Sequence, residues 1–333
     1  MTSAAPAPLL ELRDVSVEYP LGRRRVLRAV DRVSFALHHG EVLALVGESG
    51  CGKSSVARAV MQLEPIADGR VLLEGRDLAR LAPAELKLAR RRFQMIFQDP
   101  LASLNPRRRV RDILEAPLRI HGVPAAERRR RVARVLELVH LDPHAVLDRY
   151  PHMFSGGQCQ RLSIARAIVL EPALLVCDEA VSALDVSVRA QVLNVLHDLR
   201  EELGLGMLFI SHDLAVVRNV AHRVAVMYLG RICEIGSSAR IFSAPAHPYT
   251  VALMSAVPIA DPDVPPPVVP VRAGEMPSPL APPSGCRFRT RCPSADRRCA
   301  EEAPALRAIA TDHSVACHYP GSVPLAQRTP DPS

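Results

Sequence analysis

No run of apolar residues in this 333-residue chain approaches the roughly 18 to 20 needed to span a bilayer. Stretches such as Val42 to Val46 and Leu174 to Cys177 have the length of strands. An integral helical membrane protein is therefore excluded, although docking on a membrane partner is not. The opening stretch, MTSAAPAPLLELRD, lacks the basic segment and apolar stretch of a secretory leader, so a cytoplasmic chain is expected. Lysine is scarce: Lys53 and Lys87 are the two lysines among 42 basic residues. That skew toward arginine reads as genomic base composition rather than function. Internal repeats, long coiled coils and paired C-x-x-C motifs are also missing.

What is present describes an ordinary globular protein. Hydrophobic residues make up 48% and charged residues 23%, which excludes a mostly disordered or fibrous chain. The length suits about two domains of roughly 150 residues each. The net charge is +7, and the excess is concentrated. Residues 80–134 hold 15 Lys and Arg against 5 Asp and Glu, a net of +10. Such a segment reads as a solvated arginine-rich face or as a surface for nucleic acid or anionic lipid.

Composition changes near residue 258, and 16 of the 30 prolines lie from Pro258 to the C-terminus. We read 1–257 as the main domain, 258–284 as a proline-rich linker around DPDVPPPVVP, 285–320 as a small cysteine-rich appendix and 321–333 as a flexible tail. The main domain alternates strand and helix patterns, the signature of an α/β fold with a largely parallel sheet. Strands are expected at 41–46, 93–98, 173–178 and 206–211, and an alternating antiparallel strand at 9–19. Helices are expected at 53–63, 125–140 and 186–203, the last from the spacing of Val188, Val192, Val195, Leu196 and Leu199.

The chemistry begins at Gly47-Glu48-Ser49-Gly50-Cys51-Gly52-Lys53-Ser54, with Ser55 following, which fits the phosphate-binding loop G-x-x-x-x-G-K-[ST]. Glycines let the backbone aim N–H groups at phosphate oxygens, and the next helix adds its partial positive terminus. Lys53 is placed to hold the β- and γ-phosphates and Ser54 to ligate Mg²⁺. The apolar strand through Leu174 ends in Asp178 and Glu179. Asp178 is placed to meet Mg²⁺ and Glu179 to polarise an attacking water. Ser155-Gly156-Gly157-Gln158 opens a helical run, with Ser155 as N-cap and the glycines exposing further N–H groups to an anion.

Taken in order, the phosphate loop, SGGQ, the strand ending Asp-Glu, Ser182-Ala183-Leu184-Asp185 and Ser211-His212-Asp213 resemble the nucleotide-binding domain of ABC ATPases over about residues 9–240. The resemblance implies an α/β P-loop NTPase (RecA-like) fold with an antiparallel β subdomain and a helical subdomain at about 99–165. It also implies roles. Gln98 matches the glutamine that touches Mg²⁺ or water and faces a transmembrane partner. His212 matches the switch histidine on the γ-phosphate, and Asp185 the aspartate at the dimer interface. Tyr19 is similar to the aromatic that stacks on adenine. In this family SGGQ of one subunit covers the ATP held by the other subunit's phosphate loop, so two domains close head to tail around ATP. Ala180 and Cys159 depart from the usual family residues, and neither removes a group expected on phosphate.

A narrower resemblance, to the ATPases of dipeptide and oligopeptide importers, rests on three strings. They are Gln98 to Pro106 (QDPLASLNP), His247-Pro248-Tyr249-Thr250 and Met276-Pro277-Ser278-Pro279-Leu280. Val181 to Val188 (VSALDVSV) resembles the second of the two ATPases such systems carry. The importer resemblance implies a second ABC ATPase as partner in a heterodimer, two permease subunits and an extracytoplasmic solute-binding protein, at the cytoplasmic face of the inner membrane. Nickel, glutathione and other small-solute importers share the subfamily. A soluble ABC ATPase acting on nucleic acid or the ribosome is the alternative from another class, but the chain carries one cassette and no inserted zinc module, so no nucleic acid is expected.

Eight cysteines fall into two groups. Cys51, Cys159, Cys177 and Cys233 read as reduced packing residues. Cys286, Cys292, Cys299 and Cys317, spaced C-x5-C-x6-C-x17-C, favour a metal over disulfides in a cytosolic protein. The importer resemblance associates such a tail with a [4Fe-4S] cluster; zinc and unligated structural cysteines are the alternatives. His313 and His318 are spare candidate ligands, each more readily a surface residue.

Overall fold

The computed structural model describes residues 7–22, 25–256 and 276–323. Its strands, in chain order, are β1 (Leu10–Leu21), β2 (Arg25–Leu37), β3 (Val42–Val46), β4 (Asp68–Leu73), β5 (Arg76–Asp77), β6 (Phe93–Ile96), β7 (Leu174–Asp178), β8 (Gly206–Ile210), β9 (Arg223–Tyr228), β10 (Arg231–Ser237), β11 (Arg307–Ala310) and β12 (His313–Val315). They form an antiparallel sheet ordered β2-β1-β4-β5 and a larger sheet ordered β11-β12-β10-β9-β3-β8-β7-β6. The proline string DPDVPPPVVP, most of the expected linker and most of the expected tail lie outside the described residues.

β3, β7 and β8 are buried at every position, as continuous apolar strands are when both faces of a parallel sheet are covered. Their parallel register pairs Val42 with Met207, Leu174 with Gly206 and Phe93 with Leu174, so the carboxyl ends of β6, β7, β8 and β3 meet at one edge. That edge is where an open α/β sheet binds its ligand. One core lies between β1–β2 and the sheet: Leu12, Val17, Val30 and Val33 pack with Leu43, Leu45, Val56 and Val60, the last two on the helix Lys53–Val60. β1 alternates only from Leu10 to Arg13; Val15, Ser16 and Val17 are buried in succession, where its pairing with β2 shifts between Leu12 and Val15 and again up to Glu18.

The other face carries the helical layer. The helix Ala125–Leu138 buries Val132, Val135 and Leu136, and the helix Val186–Leu203 buries Val192, Val195, Leu196 and Leu199 before Gly204 ends it in the left-handed conformation (φ +63°). Several arginines of the basic segment are ion-paired in this layer. Arg128 meets the largely buried Glu115 at 2.9 Å, Arg131 meets Glu127 at 2.7 Å, and Arg111 meets Asp148 at 3.0 Å.

Within 285–320, β12 pairs with β10 (Glu234 with Val315, Gly236 with His313), so this segment extends the central sheet. The pairing corrects the reading of His313 as a surface residue. It is buried, and its Nε2 lies 2.6 Å from the fully buried Glu234 carboxylate. Glu234 also accepts the backbone N–H groups of Ala246 (2.7 Å) and His247 (2.9 Å). A carboxylate removed from water needs such partners, and here they come from two separate stretches of chain. The half-buried His318 lies with Nε2 3.0 Å from the Glu302 carbonyl.

Candidate functional site

The loop Gly47 to Gly52 leaves β3 and turns into the helix Lys53–Val60. Two glycines are required by close approach. A Cβ on Gly47 would stand 2.2 Å from the Met227 carbonyl oxygen, and one on Gly52 2.2 Å from that of Ala29. The loop therefore rests on the end of β9, where the Gly230 N–H donates to the Cys51 carbonyl at 2.8 Å. Lys53 is buried, and its Nζ donates to the carbonyls of Gly47 (2.8 Å) and Glu48 (3.0 Å). The ammonium is thus held over the loop's mouth by neutral acceptors, a position from which an incoming phosphate can take it.

Five of the expected residues converge at the strand ends. Ser54 Oγ donates to Asp178 Oδ1 at 3.1 Å, joining the helix start to the end of β7. Burial pushes the Asp178 carboxyl up from its ordinary range, against the Ser54 hydrogen bond that lowers it. A buried carboxylate beside a hydroxyl is a donor set that fits a divalent cation. Next to it, Glu179 receives Gln98 Nε2 at 3.1 Å on Oε2, while His212 Nδ1 lies 3.3 Å from Oε1. Three strands, β6, β7 and β8, supply this trio. Glu179 adopts φ +49°, the left-handed region that a residue with a Cβ occupies at a cost. Its N–H donates to the Ile210 carbonyl at 3.0 Å, which ties the strained turn to the end of β8. Tyr19, in β1, donates through Oη to Ser55 Oγ at 3.3 Å and so stands beside the same helix start.

The Ser155–Gln158 segment lies elsewhere. Ser155 Oγ accepts the Gln158 N–H at 3.4 Å, and the Gln158 side chain accepts the Ser155 N–H at 3.1 Å, a reciprocal capping box on the helix Gly156–Ile168. Asp185 caps the helix Val186–Leu203, accepting from the Val188 N–H at 3.0 Å, and that hydrogen bond holds its carboxyl below the ordinary range. Gly157 seats one helix on the other, because a Cβ there would stand 2.3 Å from Val188 Cγ1. Among the described residues no hydrogen bond joins Ser155, Gln158 or Asp185 to the phosphate loop.

Cys51, Cys159, Cys177 and Cys233 are buried, and none of the eight cysteines forms a disulfide. Burial pushes the Cys177 thiol to about 12, so it is an inert packing group. Cys286, Cys292, Cys299 and Cys317 line one small cavity with Phe288 and His318. Burial raises the thiols of Cys286 and Cys299, and that of Cys317 to about 11. Among the described residues, however, no group of three or more His, Cys, Asp or Glu is positioned to hold a metal ion. This differs from the expected cluster: the four sulfurs share a cavity without forming a ligand set.

Two residues at the phosphate loop escaped the reading of the sequence. Tyr249 Oη accepts the Glu48 N–H at 2.8 Å, and Arg291 Nη1 donates to both Glu48 carboxylate oxygens at 2.9 and 3.0 Å. They stand 201 and 243 positions from Glu48, and no local pattern announces such partners.

Comparison with known proteins agrees with this geometry. The ABC transporter family matches residues 30–182, and the oligopeptide/dipeptide transporter C-terminal region matches residues 233–299. The chain is 49% identical over 320 residues to the oligopeptide transport ATP-binding protein OppF of Escherichia coli (strain K12), covering 93% of this chain and 95% of that protein. It is 51% identical over 312 residues to a putative peptide import ATP-binding protein of Brucella ovis, covering 93% and 97%. Its fold is similar to that of the dimeric ATP-binding cassette MJ0796 in a post-hydrolysis state with ADP and Pi, at a TM-score of 0.62 and 26% identity over 69% of this chain and 98% of that one. No described helix is long and apolar enough to cross a membrane. With its phosphate loop, its Asp178–Glu179 strand end and the module that follows, the chain belongs to the ATP-binding subunits of ABC transporters that carry the oligopeptide/dipeptide transporter C-terminal region.

Proposed function

We propose that this chain is the ATP-hydrolysing subunit of an oligopeptide importer, and that Glu179 is its general base. The observation that carries the assignment is the Glu179 carboxylate itself, oriented by Gln98 on one oxygen and His212 on the other at the end of β7. An oriented carboxylate can accept a proton from water as that water attacks phosphorus. His212, more than half exposed, is free to reach a γ-phosphate when nucleotide arrives. Lys53 would exchange its two carbonyl acceptors for phosphate oxygens. Ser54 and Asp178 would hold Mg²⁺, which neutralises phosphate charge when bound. Tyr19 would supply the ring beneath adenine.

Ser155–Gln158 and Asp185 are assigned to a partner cassette's nucleotide, because their own fold keeps them apart from this chain's loop. The complete site is then formed by two cassettes closing head to tail. The partners in this reading are a second ABC ATPase, two permeases that the Gln98 region would contact at the cytoplasmic face of the inner membrane, and an extracytoplasmic binding protein that would select the solute. For the tail, the four cysteines that line one cavity would have to move together to hold a [4Fe-4S] cluster or zinc, whose ligands their thiolates could then supply. Iron and sulfide analysis of anaerobically purified protein tests this, and protein free of iron, sulfide and zinc overturns it.

Glu179→Gln tests the main assignment. The amide keeps the shape and the contact with Gln98 but cannot take a proton. ATP binding should persist, the closed dimer should accumulate, and turnover should fall at least about 100-fold. Ordinary turnover in that variant would remove Glu179 from its role.

A further inference from the structure

The C-terminal module grips the phosphate loop. Three residues between Cys286 and Cys292 make the contact. Arg287 donates to the Leu229 carbonyl and to Asp31, holding the turn on which the loop rests. Phe288 is buried against Tyr228 and Tyr249, with ring centroids 5.3 and 5.4 Å apart. Arg291 lies 5.9 Å from the Tyr228 centroid and 5.7 Å from that of Phe288, and from there binds both oxygens of Glu48. Tyr249, fully buried at the start of the helix Pro248–Ser255, takes the Glu48 N–H. The same stretch, through His247, is tied to Glu234 and thereby to His313 of the module. Glu48 is thus held by its backbone and by its side chain at the second position of the phosphate loop.

We propose that Arg291 and Tyr249 are positioning residues for the nucleotide, and that the Cys286–Cys292 loop is a brace whose docking sets the affinity for ATP. A phosphate loop binds through backbone N–H groups that must point inward before the ligand arrives, and preorganisation of that kind appears as affinity. The Arg291 contact also neutralises a carboxylate that would otherwise stand bare beside a triphosphate. Neither residue touches the reacting atoms, so the effect belongs to binding rather than to the chemical step. The inference rests on the ATP-binding reading of this loop.

The test is ATP affinity by calorimetry, with KM and kcat, for the full chain and its variants Arg291→Ala, Arg291→Lys, Glu48→Gln, Tyr249→Phe and the double variant Arg291→Ala/Glu48→Gln. Arg291→Ala should raise Kd and KM about tenfold, equal to about 1.4 kcal/mol, and change kcat less than about threefold. Arg291→Lys should recover most of the loss. The double variant should be no worse than about twofold below the weaker single one, because both remove the same contact. Tyr249→Phe keeps the ring packed and should weaken binding in the same direction, which covers the case of an Arg291→Ala protein that does not fold. Kd within twofold of wild type in Arg291→Ala or Tyr249→Phe overturns the brace. So do multiplied losses in the double variant, which would mean that Arg291 merely stabilises the module. A wild type that fails to bind ATP overturns the underlying reading instead, and this inference falls with it.

Discussion

His247 should make the protein sensitive to mild acid. Its side chain is 3% exposed and caps the helix Pro248–Ser255, with Nδ1 accepting the Tyr249 N–H at 3.0 Å. A protonated Nδ1 cannot accept, and burial pushes the imidazole down to about 4 from an ordinary 6.5. The groups around it are Glu234, which accepts the His247 backbone N–H, His313 on the far side of Glu234, and the Phe288 ring at 5.8 Å. Because the folded form binds its proton less readily than the unfolded form, stability is fully present above about pH 6.5 and falls as pH drops toward 4. From pH 7 to pH 5 this single group removes about 2 kcal/mol, which lowers Tm by about 4 °C. The assay is urea unfolding at both pH values for wild type and for His247→Asn, whose amide oxygen still caps the helix but does not titrate. The variant should show a pH 7-to-5 loss smaller by about 2 kcal/mol, whatever its stability at pH 7. Equal losses in the two proteins would refute the reasoning.

Three substitutions probe the frame around the site. Gly157→Ala drives a Cβ into Val188, whose branched side chain has little freedom to turn aside, and should cost about 1 to 3 kcal/mol by urea unfolding. Gly156→Ala, with nothing within 4 Å of its Cβ, should stay within about 0.5 kcal/mol of wild type; similar losses at both glycines would refute the packing account. His313→Ala leaves the fully buried Glu234 with its two backbone donors alone and should cost about 3 kcal/mol, while a loss below about 1 kcal/mol would mean that the buried pair does not hold β12 to the sheet.

What could be read from the chain divides along the range of the interactions. The phosphate loop was legible because phosphate binding needs consecutive N–H groups, and consecutive groups are written in consecutive residues, Gly47 to Ser54. The parallel strands were legible for a similar reason: burial on both faces turns β3, β7 and β8 into short unbroken apolar runs. The trio at Glu179 was legible only through the resemblance, since Gln98, Glu179 and His212 come from three strands and no spacing predicts that they meet. β9 and β10 were not assigned: β9 carries the same unbroken apolar run, Val224 to Tyr228, and was overlooked, while β10 mixes Arg231, Glu234 and Gly236 among its apolar residues. β12 is harder still. His-Ser-Val is too short to carry a period, and its place depends on Glu234, 79 positions earlier, finding a buried partner. Arg291 belongs to this last class. Between two cysteines it reads as one more arginine in an arginine-rich protein. Only the fold, by laying Phe288 against Tyr228 and Tyr249, brings that guanidinium to the one acidic side chain of the phosphate loop. The motif therefore states what the loop binds, while the contact that holds the loop in shape is written nearly a domain's length away.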